Sequence, residues 1–124
     1  MRDGYFEFDV QLFPRKLWVY YGKGIDGLKS AFSNFEEPDA EYNGFVCGEV
    51  VRKSDSKIGV IAVFHSRKDM TLKTMVHEAS HIVDSIEEAI GAEHGGEWSA
   101  YLEGWVVGCL DLVKSGKCDN FKEI

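Results

Sequence analysis

The chain has 124 residues, a formal net charge of −7 and a pI near 5.0. That length supports one domain with a modest core and excludes a molecule built of two full lobes, while the acidic balance leaves no basic footprint for nucleic acid or an anionic membrane. Cys47, Cys109 and Cys118 are odd in number and lack CxxC spacing, which argues against a disulfide framework or a cysteine zinc site.

Phe6, Phe8, Val10 and Leu12 alternate with Glu7, Asp9 and Gln11, the period-two pattern of a half-buried strand. Pro14-Arg15 turns the chain, and residues 17–21 form a second strand by aromatic and β-branched content, ended by Gly22 and Gly24. The two predict a hairpin. Ile25, Leu28, Ala31, Phe32 and Phe35 recur at three and four, so a short amphipathic helix is expected there, closed by Pro38. Residues 45–51 and 58–64 predict two more strands joined across the polar stretch 52–57, with one of the two free at a sheet edge. A helix from about 70 to 90 follows, with Asp69 or Thr71 as N-cap and Gly91 as a left-handed stop. After Gly95-Gly96 a last helix runs from about Glu97 to Lys114 and stops at Ser115-Gly116. This order predicts an α+β fold in one domain over 1–124, with a mixed or antiparallel four-stranded sheet packed on the last two helices. The opening Met-Arg-Asp-Gly-Tyr carries no apolar leader segment and no apolar run reaches membrane-spanning length, so a cytoplasmic location is expected.

The 70–90 helix contains His77-Glu78-Ala79-Ser80-His81, an HExxH string. At about 100° per residue, His77, His81, Asp84 and Glu88 fall on one polar stripe. Met75, Ala79, Ile82, Ile86, Ala89 and Ile90 centre on the opposite side. One face is built for the core and the other presents two imidazoles that can share a metal, with Glu78 beside them as a base. A catalytic zinc takes three protein ligands and keeps one position open, so a third is sought among Glu97, His94 and Glu103. Glu97 shares a stripe of the last helix with Tyr101, Gly104 and Gly108, and the two glycines would let another helix approach closely. That favours Glu97, with His94 as the alternative. Distance opposes it: a straight antiparallel helix pair sets His81 opposite a residue deeper in the last helix than Glu97.

HExxH followed by Glu97-Trp98-Ser99-Ala100-Tyr101-Leu102 resembles the gluzincin group of zinc metallopeptidases, especially minimal single-lobe members and small phage-type HExxH proteins. His94-Gly95-Gly96-Glu97-Trp98 also resembles the His-Gly motif of SprT-like metalloproteases, which are linked to DNA or DNA-bound protein. Both likenesses are confined to residues from about 70 to 110. They imply a zincin-like fold and hydrolysis of a peptide or protein substrate, with zinc held by His77, His81 and Glu97. Glu78 is then the base that activates water, and Tyr101 can donate to the developing oxyanion or simply pack between helices. Asp84 reads either as an orienting partner of His81 or as a solvated helix residue. Two further readings stand beside this one: a hydrogen-bonded polar patch without metal, and a zinc-binding interaction protein, with a partner protein, that keeps the scaffold without catalysis.

Overall fold

The computed structural model describes residues 4–10 and 14–118. Gln11 and Leu12, expected to extend the first strand, lie outside the described residues. Strand β1 (Gly4–Val10) pairs antiparallel with β2 (Arg15–Tyr21), with Phe6 opposite Val19. β2 then pairs in parallel with β5 (Ile58–Phe64), and β5 pairs antiparallel with β4 (Gly44–Arg52). A two-residue strand, β3 (Phe32–Ser33), closes on Val51 and Arg52, giving a five-stranded mixed sheet in the order β1-β2-β5-β4-β3.

The fifth strand corrects the expectation of four. Helix α1 (Ile25–Ala31) stops short of Phe35 because Phe32 turns extended and buries its ring 4.9 Å from Trp18. Burial of a large ring on the sheet outweighs about one more turn of helix. The sequence also left both 45–51 and 58–64 open as the free edge. β5 is not an edge, since β2 and β4 flank it.

β2 and β5 are covered on both faces, which explains their nearly unbroken apolar sequence. Leu17, Val19, Val60, Ala62 and Phe64 join one core beneath the two long helices. Trp18, Tyr20, Ile61 and Val63 join the other with Leu28 and Phe32. Gly59 is required in this central pair: a Cβ there would lie 2.2 Å from the Lys16 carbonyl oxygen.

Helix α2 (Leu72–Ile90) starts at Thr71, whose hydroxyl accepts from the Thr74 N–H, and ends at Gly91 with φ 71°. Asp69, the other cap candidate, instead ends a single 3-10 turn capped by Ser66. Met75, Ala79, Ile82 and Ile86 of α2 are buried against the sheet, with Ile82 fully enclosed. Truncating such a residue to Ala costs about 2–5 kcal/mol. Helix α3 (Gly96–Ser115) packs on α2 through Leu102, Val106, Cys109, Leu110 and Val113 and ends at Gly116, φ 75°. Among the described residues, no helix is long and apolar enough to cross a membrane.

Candidate metal centre

The stripe expected on α2 forms one wall of a cavity of about 540 Å³. His77, Glu78, His81, Asp84, Ser85 and Glu88 line it from the helix, and Gly44, Phe45 and Val46 line it from β4. Contact between the two elements is close because Gly48 lacks a side chain: a Cβ there would meet the Ser85 hydroxyl at 2.9 Å. Beside Gly48 the strand bulges, with Glu49 at φ 53° and the register slipping between Cys47 and Val50. Bulges of this kind re-aim a strand next to a site.

The ligand atoms of His77, Glu78 and His81 lie within 4.8 Å of one another. The two imidazoles meet edge to face, with planes at 76° and Nε2 atoms 3.3 Å apart. Two metal–nitrogen bonds of about 2.0–2.1 Å at a tetrahedral angle span roughly 3.3–3.4 Å, so this separation, which also suits a hydrogen bond between the rings, matches the bite of a zinc ion. Both rings are exposed to the cavity, whereas Glu78 is only 6% exposed. Burial pushes the Glu78 carboxyl upward in pKa, opposed by the neighbouring His77 and His81. Among the described residues no hydrogen bond is made to this carboxylate. None of its oxygens is sealed from solvent without a partner, so the carboxylate opens onto the cavity.

Glu97 does not join this group, and Tyr101 does not approach it. Their stripe on α3 faces solvent: Tyr101 is 74% exposed, and a Cβ at Gly104 or Gly108 would have nothing within 4 Å. The glycines therefore admit no helix, and the distance objection prevails. Ser80, inside the HExxH string, donates to Glu103 at 2.7 Å, so Glu103 is the α3 carboxylate that lies opposite the motif. It joins neither metal-capable cluster, however. His94 is drawn elsewhere, with Nδ1 3.2 Å from Glu87 Oε1 and 3.5 Å from Asp84 Oδ1. Asp84 thus pairs with His94 while also lining the His77–His81 cavity.

His65 is exposed and stands 6.4 Å, centroid to centroid, from the Tyr42 ring, away from the imidazole pair. Trp18 is a core residue and Trp105 packs against the core, but Trp98 is 36% exposed. The residue that sequence reading missed is Glu87, 1% exposed on the flank of α2. Its sequence signal was weak: a Glu beside Ile86 at the margin of an apolar face reads as an ordinary boundary residue.

No known family model matches the chain, and no curated protein or solved structure matches it.

Proposed function

We propose that the chain is a zinc-dependent peptidase of minimal zincin type, with His77 and His81 as metal ligands and Glu78 as general base. The observation that carries this reading is the buried Glu78 carboxylate, without a hydrogen bond among the described residues, in one group with two imidazoles at the bite of a tetrahedral metal. A bound zinc ion would supply a Lewis acid that polarises a carbonyl and brings the pKa of water towards neutrality. Glu78 takes a proton on a carboxylate oxygen as water attacks, then returns it to the leaving amine. Burial raises its pKa, opposed by His77 and His81.

Substrate is held by β4. Its inner edge pairs with β5, and on its outer side β3 covers only Val51 and Arg52, so residues 44–46 flank the cavity without a strand partner there among the described residues. An extended peptide can add to that edge through backbone hydrogen bonds. The cleft continues past Asn43 and Thr74, in a hollow that shares Gly44, His77 and Glu78 with the central cavity.

Glu78→Gln should retain zinc while lowering peptide cleavage by about 10²–10⁴-fold, and His77→Ala should lose both. A second reading, a zinc-binding scaffold without catalysis, draws on the absence of Glu97 and Tyr101 from the group. Bound zinc with no cleavage of a broad peptide library would select that reading, and a protein that binds no zinc would sink both.

A further inference from the structure

We propose a second divalent-cation site at the turn between α2 and α3, formed by Asp84, Glu87 and His94 and separate from the His77–His81 pair. The three ligand atoms lie within 4.8 Å of one another. His94 Nδ1 is 3.2 Å from Glu87 Oε1 and 3.5 Å from Asp84 Oδ1. Bonds of about 2.0–2.2 Å at tetrahedral angles place neighbouring donors roughly 3.3–3.6 Å apart, close to the two distances from His94 Nδ1.

Glu87 supplies the independent argument. It is only 1% exposed, and among the described residues no Lys or Arg pairs with it. Hydrogen bonds from Ser99 and His94 offset part of its desolvation, but His94 balances its charge only when protonated, so a bound cation would complete the site. The nearby charged residue Asp84 adds negative charge instead of relieving it. The carboxylate is also held in position. The Ser99 hydroxyl donates to Oε2 at 2.6 Å and itself accepts from the Gly95 N–H at 2.7 Å, leaving Oε1 directed to His94. Fixing one carboxylate oxygen so that the other meets the metal is how supporting hydrogen bonds orient a ligand.

A cavity of about 300 Å³ lined by Asp84, Glu87, Gly95 and Ser99 gives access. One imidazole and two carboxylates suit a borderline divalent ion such as Zn²⁺ or Mn²⁺, since carboxylates extend the preference beyond soft metals. Asp84 lines this cavity and the His77–His81 cavity alike, so the two sites are neighbours.

The test is zinc stoichiometry of the full chain after dialysis against micromolar zinc, for wild type, the double variant His77→Ala/His81→Ala, and His94→Ala. Circular dichroism confirms that each remains folded, which is expected for His94 because its side chain is 50% exposed in a turn. The expected result is two equivalents in wild type and one in each variant, with Glu87→Gln also losing one while keeping its bond from Ser99. One equivalent lost in His94→Ala but none in the double variant would support this site and refute the peptidase centre. Zinc content unchanged in both His94→Ala and Glu87→Gln would overturn the second site, leaving the first to stand on its own result.

Discussion

Gly48→Ala probes the contact that sets the cavity, and its sign can be worked out from the structure. An alanine Cβ would stand 2.9 Å from Ser85 Oγ and 3.2 Å from Ser85 Cβ. The hydroxyl can rotate away, but the Cβ is fixed to α2, so β4 and α2 must separate by a few tenths of an ångström. Overpacking of this kind costs about 1–3 kcal/mol. Against it, Gly→Ala stiffens the unfolded chain and returns about 0.4–1 kcal/mol. The net expectation is a loss of about 1 kcal/mol, or roughly a 4 °C fall in Tm for a domain of this size. Ser85→Ala removes the closer of the two atoms, so Gly48→Ala introduced into that background should cost less. Urea unfolding of the two single variants and the double gives a coupling of at least about 0.5 kcal/mol if the two residues touch. Additive values, or a Gly48→Ala protein more stable than wild type, would refute the close approach of β4 to α2.

The position of α3 makes Glu97→Gln neutral: zinc affinity should match wild type within the error of a calorimetric titration, and a weakening of tenfold or more would return Glu97 to the ligand set. On the far face, Arg52 pairs with Glu7 at 2.5 Å and with Asp55 at 2.6 Å while lying 5.3 Å over the Trp18 ring. Burial raises the Glu7 carboxyl, but hydrogen bonds from Trp18 and Arg52 outweigh it and hold the pKa below the usual value, and Arg52 holds Asp55 down to about 2. A carboxyl depressed in the folded state stabilises above its unfolded pKa, and that contribution is lost as pH falls through the folded value. Stability should therefore decline below about pH 4.5, and Arg52→Met should flatten the decline, as read from urea midpoints between neutral pH and pH 2.5. An identical pH dependence in the variant would show that the Arg52 network does not carry it.

Elements whose apolar spacing has a single solution were legible from sequence. The α2 stripe is the strongest case: period, cap and stop agree, and Thr71, Gly91 and the cavity-lining His77, His81, Asp84 and Glu88 all take their expected places. The helix α1 and strand β3 boundary was not legible, because Phe32 suits both a helix face and a buried strand, and only its contact with Trp18 decides. The placement of Glu97 outside the His77–Glu78–His81 group was not legible for a related reason. Gly104 and Gly108 permit a close helix approach but do not require one, since a glycine stripe facing solvent looks the same in sequence. Helix phase was read correctly, whereas the orientation of α3 around its own axis depends on Leu102, Val106 and Leu110 settling into the core.

That orientation leaves α2 with two buried carboxylates, Glu78 at 6% and Glu87 at 1% exposure, each beside a histidine and neither paired with a Lys or Arg among the described residues. Removing a carboxylate from water has a cost that a bound cation would offset. Divalent cations that bind the folded state alone should then stabilise it, by about 2.7 kcal/mol per site at a concentration 100 times Kd. Thermal melts with increasing zinc should show a Tm that climbs steadily in wild type. In His77→Ala/His81→Ala/His94→Ala the same titration should leave Tm flat. A wild-type Tm indifferent to zinc would mean that neither carboxylate awaits a metal, and that α2 tolerates both through solvent reaching them from the cavities.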